Sequence, residues 1–186
     1  MKANAFAHEI SVSQALVRGA CPVCGVLKEF QSALAEKVHV CDDLSLCNFH
    51  TWLLARAAPA KGAAAFYLKL LEGSSVVKVG APDCDFCQRI LAQEKLQLRD
   101  LVKQMQRAIF VQWMKSQGSL CLSHSRKLQE HAPLKMRRLI DEIVERTRSE
   151  LKQELGDFLE HTKQGDHTGG GILGRAAEFL VSQRGL

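Results

Sequence analysis

The sequence predicts an all-α protein, a helical bundle made of two pseudo-repeated metal-binding halves. Three observations lead to this prediction. Residues that favour helices, chiefly Leu, Ala, Gln, Glu, Lys and Arg, are abundant, whereas β-branched and aromatic residues are sparse. Apolar residues recur at spacings of three and four along most of the chain. A pattern of cysteines and histidines occurs twice.

The helical spacing and its interruptions predict the positions of the helices. We expect them over residues 9–18, 25–38, 47–58, 62–72, 86–115, 121–132, 134–162 and 173–183. Cys21-x2-Cys24 is predicted to form a turn before the second of these helices. The stretch 73–83 is rich in Gly and Ser and contains Pro82, so it predicts a boundary between a first metal-binding half, residues 1–73, and a second, residues 84–186, within one compact unit.

Charge and hydropathy exclude several classes of protein. The net charge is +5 over 186 residues, and six thiolates with two divalent ions would lower it to about +3. So mild a balance argues against a nucleic-acid partner. No segment approaches ~18 consecutive apolar residues, so no membrane partner is predicted.

The amino terminus and the cysteine content predict a compartment. Residues 1–10 include Glu9 and lack an unbroken apolar run, so they do not resemble a secretory signal. We therefore expect a cytoplasmic protein. In that compartment, paired cysteines indicate metal or redox chemistry more often than structural disulfides.

The most informative feature is the internal repeat. Each half contains Cys-x2-Cys followed by Ser-Leu-Cys-x2-His. The repeated positions are Cys21, Cys24, Cys47 and His50 in the first half, and Cys84, Cys87, Cys121 and His124 in the second. Residues 25–46 separate the inner cysteines of the first half and residues 88–120 those of the second, a difference of about three helical turns.

These spacings suit a metal ion. Cys-x2-Cys brings two sulfurs to one ion, and a following helix N-terminus favours thiolates. Cys-x2-His places both side chains on one face of a helix. Three sulfurs and one nitrogen form a closed tetrahedral set suited to zinc. Core cysteines alone would not produce paired spacings with His in register.

We therefore predict two zinc ions, one in each half, with the four repeated positions of a half converging on its ion. Sets drawn from both halves are the alternative grouping. An iron–sulfur cluster with one His in place of Cys is the alternative cofactor. Since each metal closes a long segment, folding should depend on it. On this grouping, Cys24→Ser should unfold residues 21–58 and leave much of 86–162 helical.

These motifs also carry a family resemblance. The chain resembles an uncharacterised prokaryotic family, a domain of unknown function with duplicated Cys-x2-Cys…Cys-x2-His motifs on a helical scaffold. The matching segments are Cys21-Pro22-Val23-Cys24, Cys47-Asn48-Phe49-His50-Thr51-Trp52, Cys84-Asp85-Phe86-Cys87 and Leu120-Cys121-Leu122-Ser123-His124. The chain departs from the family in having Asp85 where Pro is common and in lacking a Trp in the last helix. The resemblance implies metal binding and supplies no activity.

Two weaker signals remain. Cys41 is the odd cysteine, and we interpret it as a spectator, with a redox partner of a metal site as the alternative. Five basic residues lie close in sequence but are interleaved with acidic ones, which favours a solvated helix face over a nucleic-acid surface. They are Arg126, Lys127, Lys135, Arg137 and Arg138.

The functional prediction follows from the closed ligand sets. A metal with four protein ligands has no open position for a substrate, so we expect structural sites in an interaction module with an unknown protein partner. A thiol-based redox or metal-responsive switch and an iron–sulfur electron carrier are the alternatives. The sequence shows no nucleophile–base arrangement, which points away from an enzyme and leaves catalytic residues unknown.

Overall fold

The fold is all-α, as predicted. A computed structural model describes residues 20–37, 44–72, 84–163 and 171–181. These residues form eight helices and, across the same four ranges, no strand. The helices are α1 (Pro22–Glu36), α2 (Asn48–Ala57), α3 (Ala60–Leu71), α4 (Asp85–Gln104), α5 (Ala108–Ser116), α6 (Leu122–His131), α7 (Leu134–Lys163) and α8 (Gly171–Val181). The helix predicted over residues 9–18 and the connector 73–83 lie outside the described residues.

The start of α1 corrects one prediction. Cys21-x2-Cys24 is not a turn that precedes a helix, because α1 begins at Pro22 and already contains Cys24. A proline suits the first position of a helix, since its fixed φ is helical and its missing N–H would have no partner there. The two cysteines therefore flank the helix start rather than precede it.

The helix predicted over residues 86–115 is in fact two, α4 and α5. The amides of Gln106 and Arg107 donate to carbonyls three residues back, at 3.1 and 2.9 Å, which tightens the last turn of α4. Arg107 is then extended (φ −89°, ψ 123°) and ends the helical path. The break contains no Gly or Pro, so composition could not reveal it. Met105 and Phe110 on either side of it are both buried.

The described chain divides into two compact units. Unit 1 comprises the described parts of Met1–Val26 and Gln97–Gly185, and unit 2 comprises those of Leu27–Leu96. The chain passes from unit 1 to unit 2 within α1 and returns within α4. The units differ in their bounds from the predicted halves, 1–73 and 84–186, and that these halves form one compact unit stays a prediction.

Unit 1 is built on the long helix α7. Helices α6, α7 and α8 pack against one another, and α5 packs on α7. Apolar residues at helical spacing on α7 are buried at Leu139, Ile140, Ile143, Val144 and Leu151. Nearer the end of the helix, Leu159 is 59% exposed, so the buried stripe does not extend that far.

Unit 2 contains the helical pair α2 and α3, which contact each other. The Tyr67 hydroxyl of α3 donates to the Thr51 carbonyl of α2 at 2.6 Å. Leu54, Phe66 and Phe86 are buried in this unit. In the part of the chain that the structure describes, no helix is both long enough and apolar enough to cross a membrane.

Candidate metal centres

The eight repeated Cys and His residues come together in two clusters. Cluster 1 consists of Cys21, Cys24, Cys121 and His124, and cluster 2 of Cys47, His50, Cys84 and Cys87. Within each cluster the potential ligand atoms all lie within 4.8 Å of one another, so each cluster could hold a metal ion.

The grouping predicted from sequence is wrong. We expected Cys21 and Cys24 to converge with Cys47 and His50, and Cys84 and Cys87 with Cys121 and His124. Instead, the Cys-x2-Cys of each half meets the Cys-x2-His of the other half. The physical reason is that the first turn of α1 belongs to unit 1, with residues 97–185, whereas the rest of the first half belongs to unit 2. Local spacing determines which residues form a pair, but not which two pairs meet.

All eight residues occupy equivalent places on four helices. The residue directly before each of the helices α1, α2, α4 and α6 is a cysteine, namely Cys21, Cys47, Cys84 and Cys121. The third residue of each helix is the second potential ligand, namely Cys24, His50, Cys87 and His124. The x2 spacing thus joins the N-cap and N3 positions, the same two that interact in a capping box.

This placement brings two helix N-termini to each cluster. The Cys121 sulfur accepts from the backbone N–H of His124 at 3.4 Å, and the Cys84 sulfur from that of Cys87 at 3.5 Å. Helix N-termini carry partial positive charge and unpaired N–H groups, and both stabilise thiolates. The scaffold of each cluster therefore favours the deprotonated sulfurs that a metal requires.

In cluster 1, the sulfurs surround a single histidine nitrogen. The Nδ1 atom of His124 lies 3.5 Å from the Cys21 sulfur, 3.4 Å from that of Cys24 and 3.1 Å from that of Cys121. The sulfurs of Cys24 and Cys121 are 3.7 Å apart. Nδ1 is therefore the atom of His124 that faces the centre of the cluster.

Cluster 2 has nearly the same geometry. The Nδ1 atom of His50 lies 3.3 Å from the sulfurs of Cys47 and Cys84 and 3.4 Å from that of Cys87. The sulfurs of Cys47 and Cys87 are 3.9 Å apart. Both clusters therefore offer three sulfurs and one Nδ1 nitrogen.

These distances fit one tetrahedral ion. With Zn–S bonds of about 2.3 Å and a Zn–N bond of about 2.0 Å, a tetrahedron has edges of about 3.8 Å between sulfurs and about 3.5 Å from sulfur to nitrogen. The observed separations of 3.7–3.9 Å and 3.1–3.5 Å lie close to these values. They are too long for a disulfide, whose S–S bond is about 2.05 Å.

Cluster 1 is sealed from solvent. All four of its residues are buried, and His124 has no exposed surface. A void of about 10 Å³ borders Cys21 and Cys121, which is room for about one water molecule at most. An ion bound here would have little contact with solvent.

Cluster 2 is more open. Cys84 and His50 are buried, but Cys47 and Cys87 are only half-buried. The Nε2 atom of His50 is buried and has no hydrogen-bond partner among the described residues. The rings of Phe49 and Phe86 lie edge-on to the imidazole, with centroids 5.0 and 5.5 Å away. On its Nε2 side, apolar contacts rather than a hydrogen bond therefore orient the His50 ring.

The pKa shifts of these groups act in both directions on metal binding. Burial lowers the pKa of His50 to about 4, so its imidazole is neutral at pH 7, the form that binds a metal. In cluster 2, burial together with hydrogen bonds to Cys84 and Cys47 raises the pKa of Cys87 to about 12. In cluster 1, burial opposes ionisation of Cys21, but hydrogen bonds with Cys121, Cys24 and His124 lower its pKa well below the usual range. A metal would replace the protons that the remaining sulfurs hold.

Two further residues hold the Ser-Leu-Cys segments in place. The guanidinium of Arg146 donates to the carbonyls of Met114 and Gly118, just before Ser119. In unit 2, the Asp85 carboxylate accepts from the Ser45 N–H at 2.7 Å, and the Asp85 N–H donates to the Ser45 carbonyl at 2.8 Å. Sequence reasoning missed both roles. An acidic residue in the first turn of a helix is a signal for Asp85, but none marks Arg146.

Comparison with known proteins adds no assignment. No family model matches the chain, and neither a curated protein nor a solved structure matches it. The resemblance to an uncharacterised prokaryotic family therefore stays a prediction. Cys41, the spectator of the sequence analysis, lies outside the described residues.

Proposed function

We propose that the protein is a zinc-binding helical interaction module in which two structural zinc ions, held by clusters 1 and 2, fix the fold. The observation that supports this most strongly is the convergence of all eight repeated residues into two tetrahedral sets. Each set supplies three sulfurs and one nitrogen, the ligands of structural zinc, and leaves no open coordination position.

The geometry favours a single ion over an iron–sulfur cluster. In a cluster of four irons, each sulfur binds a different corner of the cube, so the sulfurs must lie farther apart than they do around one ion. Here all ligand atoms of a set lie within 4.8 Å of one another. A catalytic zinc is also disfavoured, because it would keep one position for water or substrate.

Elemental analysis and a visible absorption spectrum of protein purified without oxygen test the proposal. We expect two zinc ions per chain, no iron and no visible absorption. Replacing zinc with Co²⁺ should produce the intense visible bands of a tetrahedral thiolate site. A brown protein that contains iron and sulfide would support the electron carrier, and a metal-free folded chain would refute both.

Cluster 2 supports a second candidate, a redox-responsive metal switch. Its Cys47 and Cys87 are half-buried and their sulfurs are 3.9 Å apart. A peroxide could take two electrons from these two thiolates, forming one disulfide and two hydroxide ions and releasing Zn²⁺. One equivalent of hydrogen peroxide should then release one zinc ion and produce a Cys47–Cys87 disulfide in the peptide map. Release from cluster 1 first, or no release, would remove this candidate.

A further inference from the structure

A cleft in unit 1 is not explained by the metal clusters. It has a volume of about 940 Å³ and lies between the end of α4, helix α5 and the first turns of α7. Small-molecule sites in proteins span roughly 300–1,000 Å³, so this cleft is as large as the largest of them.

The cleft has an apolar floor of adaptable side chains. Met105, Val111, Met136 and Leu139 line it, and Met105, Met136 and Leu139 are otherwise buried. Methionine is unbranched and polarisable, so it adjusts to different apolar partners and is common in grooves that bind helices.

The rim of the cleft is basic. Lys115, Lys135 and Arg138 line it together with one acidic residue, Glu142. Lys115 and Glu142 form an ion pair at 2.9 Å, whereas Lys135 and Arg138 have no ion-pair partner among the described residues. Two uncompensated positive charges therefore flank the apolar floor.

The position of these charges destabilises α7. Lys135 and Arg137 lie in its first turn, which contains no acidic residue, and Arg138 follows directly. The N-terminus of a helix is already the positive end of its dipole, so basic residues there are electrostatically unfavourable. An acidic partner in the cleft would offset this cost.

We propose that this cleft is the docking site of the interaction module, and that its occupant is an amphipathic helix of a partner protein with acidic residues beside its apolar face. This rests on the proposed function and names the chemistry of the partner. Two helices with an open apolar groove between them accept a third, whose apolar face fills the groove. The carboxylates of that helix would pair with Lys135 and Arg138.

The lining disfavours a nucleic acid as occupant. None of the described residues that line the cleft is aromatic, so bases would find no stacking surface among them. Two uncompensated charges are also few for a phosphate backbone. A polypeptide that combines apolar anchors with carboxylates matches both the floor and the rim.

The test uses the zinc-loaded full chain and a displayed library of random peptides about 16 residues long, enough for a helix of roughly four turns. We expect selection to enrich sequences with apolar residues at i, i+3, i+4 and i+7 and an excess of Asp and Glu. Arg138→Glu and Ala108→Glu should each weaken the enriched peptides about tenfold or more. Ala108 lines the cleft and is the first residue of α5, where a carboxylate suits the helix.

The matched control is Lys152→Glu, the same change of charge at an exposed position of α7 outside the cleft. It should change the affinity less than about twofold. Equal effects of Arg138→Glu and Lys152→Glu would overturn the docking proposal. Enrichment of basic or non-periodic peptides, or no enrichment at all, would also overturn it. The same holds for an oligonucleotide whose binding is weakened by Arg138→Glu and Ala108→Glu but not by Lys152→Glu.

The zinc content of the same samples separates this proposal from the proposed function. If the chain binds two zinc ions but does not enrich acidic amphipathic peptides, docking at the cleft is refuted and the metal centres are supported. If the chain enriches these peptides but binds no metal, the metal centres are refuted and docking at the cleft is supported.

Discussion

Clusters 1 and 2 share their ligands and differ in their surroundings. Each has three sulfurs and one Nδ1 atom, placed at the N-cap and N3 positions of two helices. Cluster 1 is buried throughout, whereas two of the cysteines of cluster 2 are half-buried. On the proposed function, the same ligand set would bind an ion that is closed to solvent in cluster 1 and an ion that solvent can approach in cluster 2.

The clusters also close chain segments of different length. Cys24 and Cys121 are 97 residues apart in sequence, whereas Cys47 and Cys87 are 40 apart. Closing the longer segment removes more entropy from the unfolded chain, by about 0.8 kcal/mol on a logarithmic scale. Cluster 1 should therefore contribute more to the cooperative stability of its unit, although both contributions are large.

The largest expected effect is the loss of one cluster at a time. Structural zinc contributes roughly 10–16 kcal/mol of apparent binding free energy, against a net stability of roughly 5–15 kcal/mol for a domain. Cys24→Ser should therefore remove hydrogen-exchange protection from α6 and α7 and spare α2 and α3, and Cys87→Ser should do the reverse. This replaces the earlier expectation that Cys24→Ser would unfold residues 21–58.

The control for both variants is Ser123→Ala, which changes a residue between the Cys121 and His124 positions without removing a ligand atom. It should retain two ions and full protection. Loss of protection in α2 after Cys24→Ser, with α6 and α7 unaffected, would show that Cys24 does not bind a metal together with Cys121 and His124.

A chelator should remove the two ions at different rates. Because Cys47 and Cys87 are partly accessible, an excess of chelator should remove the cluster 2 ion about tenfold faster, or more, than the cluster 1 ion. Alkylation followed by peptide mapping should then label Cys47, Cys84 and Cys87 before the cysteines of cluster 1. Simultaneous labelling of all six would contradict the difference in access.

A smaller effect concerns Arg146, which holds the segment before cluster 1. Arg146→Met removes its bonds to the carbonyls of Met114 and Gly118 and should cost about 1–3 kcal/mol in the free energy of unfolding. Denaturant unfolding measures this. Arg148→Met is the matched control, because among the described residues Arg148 pairs only with the exposed Glu145. This substitution should cost about 0–1 kcal/mol. Equal costs would mean that Arg146 does not hold this segment.

The smallest effect concerns Asp85, the counterpart in unit 2. Asp85→Ala removes the carboxylate that accepts from the Ser45 N–H and should cost about 1 kcal/mol. Chelator should therefore remove the cluster 2 ion several-fold faster, with no change at cluster 1. Asp100→Ala, on the same helix, should leave both rates unchanged. A proline at this position would lack the N–H that donates to the Ser45 carbonyl.

The sequence predicted what depends on local spacing. The four Cys/His pairs, the all-α class and the starts of α2 and α6 follow from residues within a turn or two of each other. The association of Cys21 and Cys24 with His124 depends on contacts about 100 residues away, which periodicity does not encode. The break at Met105–Arg107 and the exposure of Leu159 were likewise not predicted, since neither is marked by a Gly, a Pro or a change in periodicity.

The central claim is that the clusters cross between the two halves, and the metal content of two double variants tests it directly. Cys24→Ser with Cys121→Ser removes two ligands of cluster 1 only, so this chain should retain one zinc ion. Cys24→Ser with Cys47→Ser removes one ligand from each cluster, so that chain should retain none. The opposite result, with one ion in the second variant and none in the first, would mean that each half binds its own metal and would contradict this account.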